Sequence, residues 1–339
     1  MYLTEQIHQQ LFHEILEGKY QPGERMPTEM ETAARFQASR VTVRRAYAIL
    51  EKAGIIVRRK RCGTIVSSNY SGSTEKISAI AAIMPLQDEF TRDFLKVLCA
   101  ESAQENILTV IEPGMENGMD LSKTVVRLVS AGIRNMVIWG LDNCYDAALF
   151  SRLRVLGVNM VFFDQIMPSG KFADYVGLNN KAGIHAIMED AAEKGYRNYI
   201  FIGMGNLALY TNKERRNAFV SECETRGFEY SFLEIPYETE AESGLMRACQ
   251  KQIRNAGAKT AVVCVNDVVA LKVADILPEN AVLYSIDGKK EAVARGIITY
   301  FQPMDQMAKC CLNALKQQCS KGEKWQAAEY LFEGELLRK

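Results

Sequence analysis

A run of basic side chains near the start of the chain carries the clearest chemistry in this sequence. Between Ala38 and Arg61 there is one acidic residue, Glu51, and there are eight basic ones: Arg40, Arg44, Arg45, Lys52, Arg58, Arg59, Lys60 and Arg61. The full chain of 339 residues has 41 basic and 41 acidic side chains, so this excess is local. Residues 1–69 hold eleven basic and seven acidic side chains, a net +4 that leaves −4 for the remainder. A basic module on a slightly acidic body predicts that one end binds a polyanion while the other handles something else.

Two helices are predicted before the basic run. The first has apolar side chains four residues apart on one face: Ile7, Leu11 and Ile15. Gly18 suits the left-handed residue that often closes a helix. Thr28, followed three residues later by Glu31, has the spacing of a capping box. This spacing predicts the start of a second, shorter helix that extends through Phe36.

A third helix and a hairpin carry the basic side chains. Ser39 is a favourable N-cap for that helix, and its apolar positions share one face: Val43, Ala46, Tyr47 and Leu50. Arg40 and Arg44 lie one turn apart on another face. Residues 55–57 and 64–66 then read as two short strands around a basic tip at residues 58–62. Together these elements predict a helix-turn-helix followed by a β-wing.

This arrangement suits double-stranded DNA. A helix that presents its N-terminal residues to the major groove can place arginine on guanine edges and threonine on bases or phosphates. The amides behind Ser39 can hold a phosphate, and a basic wing suits the DNA backbone or the minor groove. The alternative is a charged, solvated helical bundle without a ligand. The caps, the turn lengths and the basic wing together disfavour that alternative.

Residues 2–66 resemble the winged helix of GntR-type transcription regulators. Four segments carry the resemblance: PGERMPTE at 22–29, ASRVTVRRA at 38–46, the Leu50…Gly54-Ile55-Ile56 segment and GTIV at 63–66. The resemblance implies DNA contacts by Ser39, Arg40, Thr42 and Arg44, to which we add three basic neighbours: Arg45, Lys60 and Arg61. Two positions depart from the family. Met30 stands where arginine is frequent, and Arg61 stands at the wing tip where glycine is usual.

The remainder of the chain predicts a separate α/β domain. Residues 68–76 are polar and rich in serine, which is typical of a linker between a DNA-binding domain, 1–67, and a larger domain, 77–339. Short apolar runs then alternate with amphipathic helical stretches, and the runs predicted as buried strands are 77–84, 108–111, 136–139, 159–163, 199–203, 232–236, 260–264 and 282–286. This alternation predicts parallel sheets covered by helices on both faces. Roughly a dozen strands fit two consecutive doubly wound lobes better than one wide sheet.

Polar or aromatic residues follow nearly every predicted strand, where such folds bind their ligands. These residues are Asp88, Glu89, Phe90, Trp139, Asp142, Asp164, Arg215, Asn266, Asp267 and Asp287. Aspartate, asparagine and arginine can hydrogen-bond hydroxyl groups, and an aromatic face can stack on a sugar ring. Alternatives stay open for single residues. Asp88 and Asp142 can equally be helix caps, Trp139 can belong to the core, and Arg215 can pair with Glu214 or Glu222.

Residues 77–337 resemble the effector-binding core of LacI-type repressors and the related periplasmic sugar-binding proteins. The markers are VFFD at 161–164, YVGLNN at 175–180, KGYR at 194–197, Arg215…Phe219, VND at 265–267, SIDG at 285–288 and Gln302-Pro303. The resemblance implies Arg215, Asn266 or Asp267, and Asp287 as effector ligands in the second lobe, with Gln302 at the return crossover. Asp88, Phe90 and Trp139 are the candidates in the first lobe. A GntR-type head on a LacI-type core is the architecture of regulators of the arabinose-repressor kind.

Other chemistry is sparse. The chain has three histidines and nine cysteines, without the spacing of a zinc site, a thioredoxin motif, a P-loop or a nucleophile elbow. No cofactor or metal is therefore predicted. An odd number of cysteines fits a reducing cytoplasm, and no stretch approaches the roughly 18 apolar residues of a membrane span. The N-terminal helix is rich in polar residues, so no signal peptide is expected.

The sequence therefore predicts a cytoplasmic, ligand-responsive transcription regulator. We expect a repressor that binds a near-palindromic operator as a homodimer. A small effector, a sugar or sugar derivative, is expected to close the two lobes and re-space the two heads. The alternative from another class is an enzyme with a doubly wound core that acts on a sugar.

Overall fold

The N-terminal head is a winged helix. The computed structural model of the chain describes residues 3–67, 76–114, 120–140, 145–165, 172–205, 209–236, 244–255, 259–278 and 281–339. The elements of the head are α1 (Leu3–Leu16), α2 (Glu29–Arg35), α3 (Arg40–Lys52), β1 (Ile56–Arg59) and β2 (Gly63–Val66). Strands β1 and β2 pair antiparallel, with Arg59 opposite Gly63 beside the tip. The predicted helix-turn-helix and wing are confirmed.

The predicted stripe on α3 forms the centre of the head. Its four apolar side chains are fully buried, and α3 packs against α1, whose Ile7, Leu11 and Ile15 are buried as well. The Tyr47 hydroxyl donates a hydrogen bond to the Pro27 carbonyl at 2.6 Å and lies 3.0 Å from the Thr32 hydroxyl. Burial of each large apolar side chain contributes about 1.5–3 kcal/mol, so this stripe holds α3 in place.

The helix starts follow the predicted capping chemistry. The Glu31 amide donates to Thr28 Oγ1 at 3.2 Å, and the Thr28 amide donates to Glu31 Oε2 at 2.7 Å, which completes a capping box. The Thr42 amide donates to Ser39 Oγ at 3.1 Å at the start of α3. Such caps stabilise a helix by about 1 kcal/mol each. Helix α2 ends at Arg35, and Phe36 is its C-cap rather than part of it.

An ion pair between a buried glutamate and an exposed arginine links α1 to α2. Glu14 on α1 is only 3% exposed, and both of its carboxylate oxygens accept hydrogen bonds from the Arg35 guanidinium, one of them at 2.8 Å. The Arg35 hydrogen bond is the main cause that lowers the pKa of Glu14 to about 2. A bidentate pair has a more specific geometry than a single hydrogen bond, so this contact restrains α2 against α1.

Strands and helices alternate through the rest of the chain, as predicted. The strands are β3 (Ala79–Met84), β4 (Leu108–Pro113), β5 (Asn135–Ile138), β6 (Asn159–Phe163), β7 (Asp174–Leu178), β8 (Asn198–Gly203), β9 (Glu229–Glu234), β10 (Thr260–Cys264), β11 (Val282–Asp287), β12 (Ile298–Phe301), β13 (Glu329–Phe332) and β14 (Leu336–Leu337). The helices are α4 (Glu89–Gln104), α5 (Leu121–Ser130), α6 (Ala147–Val155), α7 (Asn180–Glu193), α8 (Tyr210–Arg226), α9 (Gly244–Asn255), α10 (Asp267–Ala274), α11 (Lys290–Ala294) and α12 (Met304–Lys321).

These strands form two six-stranded sheets, which confirms the predicted pair of doubly wound lobes. The first sheet has the order β13-β7-β6-β5-β3-β4, and the second has the order β14-β12-β11-β10-β8-β9. Strand β14 pairs antiparallel with β12, whereas the pairs among β8 to β12 are parallel. In the first sheet β3 lies between β4 and β5, and in the second β8 lies between β9 and β10. The strand order reverses at β3 and at β8, and ligands of such folds bind beside these points.

The chain crosses between its two compact units more than once. The first unit comprises Met1–Phe163, Met167–Tyr175 and Ala308–Glu329, and the second comprises Asp164–Ile166, Val176–Met307 and Tyr330–Lys339. Of the predicted linker, residues 68–76, only Lys76 lies within the described residues. The domain boundary at that linker stays a prediction.

Two strands that were predicted to be buried are edge strands. Strand β4 leaves Leu108 73% exposed and Ile111 44% exposed, because only β3 pairs with it. Strand β9 begins at Glu229, before the predicted start at Phe232, and its side chains are exposed or half-buried. Their apolar runs predict buried strands, but burial also depends on the position of a strand in its sheet, which composition does not determine.

Among the helices in the described ranges, none is long and apolar enough to cross a bilayer.

Candidate functional site

The basic surface of the head is organised around one carboxylate. Glu29, the first residue of α2, accepts hydrogen bonds at 3.2 Å from Nε of Arg40 and from Nε of Arg44. Its other oxygen lies 3.5 Å from Nη2 of Arg58 on β1. The glutamate side chain is 18% exposed, whereas the three arginine side chains are 43–60% exposed. Glu29 thus holds three arginines from two elements at the surface.

The charge of Glu29 is itself stabilised by this arrangement. Burial opposes its ionised form, but the hydrogen bonds from Arg40 and Arg44 outweigh burial and keep the pKa of Glu29 below its ordinary value. The carboxylate is therefore ionised at neutral pH. Neither the capping pattern nor the basic run predicted this role, because Glu29 precedes Arg40 by eleven residues and Arg44 by fifteen.

A groove of about 650 Å³ opens over this cluster. It runs between α2, α3 and the wing, and its walls are Arg25, Met26, Pro27, Thr28, Glu29, Met30, Arg40, Arg44, Arg58, Arg59, Cys62, Gly63 and Thr64. Met30, where the GntR-type pattern often has arginine, lines this groove with 68% of its surface exposed. The position faces the same surface as the arginines, but it offers an apolar contact in place of a charge.

The other predicted DNA contacts, Ser39, Thr42, Arg45, Lys60 and Arg61, do not line this groove. The hydroxyls of Ser39 and Thr42 are 2.8 Å apart at the start of α3. Arg45 and Lys60 are exposed but do not belong to the walls of the groove. Arg61 has a φ of 68°, in the left-handed region where glycine is favoured. Arg61 at the wing tip thus has a backbone conformation that glycine adopts readily. For a residue with a side chain this conformation costs roughly 1 kcal/mol.

The second lobe has a buried arginine at its strand ends. Arg215 on α8 is 4% exposed, its Nε donates to Asn180 Oδ1 at 2.7 Å, and its Nη1 donates to the Val265 carbonyl at 2.7 Å. The alternative pairing of Arg215 with Glu222 is wrong, since Glu222 pairs with His185 and Arg226 at 2.9 Å each. No contact with Glu214 is found for Arg215 among the described residues. Because Val265 directly follows β10, Arg215 is held where the strand order reverses.

Asp287 lies at the end of the neighbouring strand, β11. It is 7% exposed, and its Oδ1 accepts a hydrogen bond from Gln302 Nε2 at 2.9 Å. In the described part of the chain, the buried Oε1 of Gln302 has no hydrogen-bond partner. The backbone of Asp287 has a φ of 140°, which is unusual for a residue with a side chain. The second carboxylate oxygen, Oδ2, accepts a hydrogen bond from the Asp267 amide at 3.4 Å, so both oxygens of Asp287 have partners in the protein.

The side chain of Asp267 points into the protein interior. It is fully buried, and it accepts hydrogen bonds from the Ser285 hydroxyl, from Thr299 Oγ1 at 2.7 Å and from the Lys289 amide at 2.6 Å. Burial raises the pKa of this carboxyl, and the three hydrogen bonds offset part of that effect. The structure therefore places Asp267 as an anchor of the loop after Asp287. Its neighbour Asn266 is the N-cap of α10, with Oδ1 accepting from the Val269 amide at 3.0 Å.

The first-lobe candidates are placed as follows. Asp88 is the N-cap of α4, where Oδ2 accepts a hydrogen bond from the Thr91 amide at 3.0 Å, so the capping alternative describes its position. Phe90 is 9% exposed and stacks on Phe163 with ring centroids 5.9 Å apart. Trp139 is 8% exposed, and within the described ranges its buried indole Nε1 has no hydrogen-bond partner. Asp142 lies outside the described residues.

Two polar residues of the second unit were missed as site residues. Asn180 holds Arg215, and the sequence showed it only as the start of a helix. Gln165 directly follows Asp164; its Oε1 accepts from the Tyr210 amide at 2.8 Å and its Nε2 donates to Thr211 Oγ1 at 3.0 Å. It therefore caps α8, the helix that carries Arg215. The signal that could have found Gln165 is its position after a buried strand.

The second-lobe group offers hydrogen-bonding side chains near the ends of adjacent strands. An arginine donor and a carboxylate acceptor can each bind a hydroxyl group. His185 lies on the surface, half-exposed beside Glu222. Among the described residues, no cluster of His, Cys, Asp or Glu could hold a metal ion.

Comparison with known proteins separates the two parts of the chain. Residues 3–66 match the family described as bacterial regulatory proteins, gntR family. Over 62 residues the chain is 37% identical to a probable fructoselysine utilization operon transcriptional repressor of Escherichia coli (strain K12), and 44% identical to the arabinose metabolism transcriptional repressor of Geobacillus stearothermophilus. The match spans 18% of this chain and only 26% and 17% of those two relatives.

The core is similar in fold to a solved regulator. The structure of a periplasmic binding protein/LacI transcriptional regulator from Alkaliphilus metalliredigens, complexed with D-xylulofuranose, superposes with a TM-score of 0.64. The superposition covers 77% of this chain and 97% of that one, at 14% identity. The chain therefore combines a GntR-type head with a core that has the LacI-type and periplasmic-binding-protein fold.

Proposed function

We propose that this protein is a ligand-responsive transcription regulator that binds an operator through residues 3–66. The observation that supports it best is the basic groove, in which Arg40, Arg44 and Arg58 stand around Glu29 on the face of a winged helix. The recognition helix of such a motif presents its N-terminal residues to the major groove, where exposed arginines can contact guanine. Two relatives matched by the head are named as a probable repressor of a fructoselysine utilization operon and as a repressor of arabinose metabolism. We extend that role, repression of a carbohydrate operon, to this chain.

The effector of this regulator is a sugar or sugar derivative, held in the second lobe by Arg215 and Asp287. Both side chains are nearly buried: Arg215 on α8 binds the carbonyl that follows β10, and Asp287 ends the adjacent parallel strand β11. Folds of this class bind ligands at such strand ends. Gln302 adds an acceptor without a partner in the described structure. The regulator acts in the cytoplasm, without a cofactor and without a membrane.

In vitro selection tests the function directly. The full chain is incubated with a random duplex library, the bound DNA is sequenced, and the enriched site is footprinted. A sugar panel is then added to the complex. An enriched near-palindromic site that one sugar releases supports the proposal, whereas the absence of any enriched sequence contradicts it. Turnover of a sugar by the purified chain would favour the rival, a sugar-acting enzyme.

We expect the protein to form a homodimer. One recognition helix reads only a few base pairs, so useful specificity requires two heads on one duplex. We expect the full chain to sediment at micromolar concentration with twice its 38.1 kDa mass. Residues 77–339 alone should do the same, because we assign the contact mainly to the core. A monomeric core would contradict that assignment.

Replacing Glu29 with glutamine is expected to change selectivity more than stability. The substitution removes the negative charge that Arg40, Arg44 and Arg58 share, so non-specific DNA affinity should rise several-fold. Because the arginines lose their fixed partner, the ratio of specific to non-specific affinity should fall. Exposed ion pairs of this kind contribute about 0–1 kcal/mol, so the thermal unfolding temperature should barely move.

The measurement is a pair of titrations, one with the selected operator and one with a scrambled duplex, at the same salt concentration. Glu24→Gln is a matched control, because Glu24 lies in the same head but does not belong to the groove. Unchanged selectivity in Glu29→Gln would show that the glutamate does not position the arginines.

A further inference from the structure

One apolar side chain stands exposed in the basic groove of the head. Met30 is 68% exposed, whereas the other methionine in the groove wall, Met26, is only 5% exposed. Five arginines share the walls of this groove: Arg25, Arg40, Arg44, Arg58 and Arg59. An exposed methionine among these cations adds neither to the core of the head nor to its charge. Neither packing nor phosphate binding therefore accounts for its place.

The local structure of α2 directs Met30 away from the core of the head. Thr32, two residues later, is 1% exposed, and its hydroxyl lies 3.0 Å from that of Tyr47. Residues two apart on a helix point in nearly opposite directions, because each residue turns the helix by about 100°. Since Thr32 points inward, Met30 points outward. The capping box of Thr28 and Glu31 fixes the start of this helix, so the direction is set before DNA arrives.

Met30 lies beside the arginines that we assign to base contacts. Its sequence neighbour Glu29 accepts hydrogen bonds at 3.2 Å from Arg40 and from Arg44. These bonds hold the first turn of α2 against the start of α3. When α3 enters the major groove, as the proposed function requires, Met30 therefore enters with the two arginines as part of the same groove wall.

The chemistry of methionine favours one kind of base edge. Its thioether side chain has no hydrogen to donate, so it cannot act as arginine does on the acceptor atoms of guanine. The side chain is apolar, flexible and polarisable, and it gains free energy by contact with another apolar group. In the major groove, the C5-methyl group of thymine is such a group. Adenine, guanine and cytosine present hydrogen-bond donors or acceptors there.

We propose that Met30 is a specificity-determining residue, which selects thymine through its C5-methyl group at one position of each half-site. This inference rests on the proposed function and deepens it, because it names a base that Arg40 and Arg44 do not select. The arginines contact guanine, and Met30 adds an apolar contact that involves no charge.

Deoxyuridine scanning of the operator that the full chain selects tests the proposal. Each thymine of one half-site is replaced in turn by deoxyuridine, which lacks only the C5-methyl group. At one position we expect the affinity of the parent protein to fall about fourfold, the effect of one buried methyl group. This ratio should be the same at low and high salt, because no phosphate contact is lost. Met30→Ala should bind the thymine and deoxyuridine duplexes equally at that position.

Ile49→Ala is the matched control. Ile49 on α3 is another exposed apolar residue of the head, 40% exposed, but it does not belong to the groove walls. This variant should keep the sensitivity of the parent to deoxyuridine. Both variants should fold as the parent does, because both side chains are exposed, and circular dichroism checks this.

The scan separates failure of this inference from failure of the proposed function. An enriched operator in which no deoxyuridine weakens binding by the parent would overturn the inference alone. Equal sensitivity in the parent and in Met30→Ala would do the same, as would loss of sensitivity in Ile49→Ala. If the full chain enriches no DNA site, the proposed function and the inference both fail.

Discussion

Arg215→Ala is expected to leave operator binding intact while the sugar no longer releases the DNA. Arg215 is 4% exposed and already holds Asn180 and the Val265 carbonyl, so its position is set before a ligand arrives. Removal of this donor leaves a bound hydroxyl without a partner in a buried place, which costs about 1–3 kcal/mol. That range corresponds to a sugar affinity roughly 5- to 150-fold weaker. Asp287→Ala should have the same effect, because it removes an acceptor at the adjacent strand end.

The readout is release of labelled operator over a sugar titration, together with calorimetry of the sugar alone. Arg216→Ala provides the matched control, since this neighbour on α8 is half-exposed and binds Glu234 instead. Circular dichroism and operator affinity report whether Arg215→Ala still folds, and Arg215→Lys retains the charge with fewer hydrogen bonds. Release of the operator at the parent sugar concentration in both alanine variants would show that the effector binds elsewhere.

Arg44→Ala is expected to weaken operator binding by about 1–3 kcal/mol and to relax the base preference at one position of each half-site. Arg44 lies on the groove wall one turn after Arg40, and its side chain is 54% exposed despite its bond to Glu29. A bidentate contact from arginine to guanine would be lost with it, whereas the fold of the head does not depend on this exposed side chain.

Lys60→Ala provides the contrast within the same head. Lys60 is exposed in the wing outside the groove, so we expect a phosphate contact. Its loss should lower the affinity for all duplexes alike. It should also reduce the slope of log affinity against log salt concentration by about one. The experiment compares the two variants on the selected operator, on single-base variants and on a scrambled duplex. A footprint that neither substitution changes would contradict the assignment of DNA binding to the winged helix.

Local features of the head could be predicted because their causes are local. The capping box of Thr28 and Glu31 and the N-cap Ser39 depend on residues three positions apart. The buried face of α3 depends on helical periodicity alone. The cluster around Glu29 could not be predicted in this way, because its arginines come from a different helix and from a strand.

In the core, the sequence located strand ends but not the direction of the side chains there. Asp267 and Asp287 both follow buried strands, and both were predicted as ligands. The structure turns Asp267 inward onto Ser285 and Thr299, whereas Asp287 sits at a strained strand end with Gln302. Which of two aspartates faces inward depends on neighbouring strands that come later in the chain. The local sequence at each strand end therefore does not indicate which of the two aspartates points inward.

The edge strand β13 has a consequence for the order in which this protein forms during synthesis. The Ala328 amide before it binds Asp174, 154 residues earlier, and Gln318 on α12 binds the backbone of Met160, 158 residues earlier. The strand pair β1–β2 and the packing of α3 against α1 and α2, by contrast, join residues within the first 66 of the chain. On the ribosome the head is therefore complete long before the first sheet receives its last strand. Translation that stops short of residue 318 would release a folded head on an unfinished core. We expect such a fragment to bind half an operator without responding to an effector.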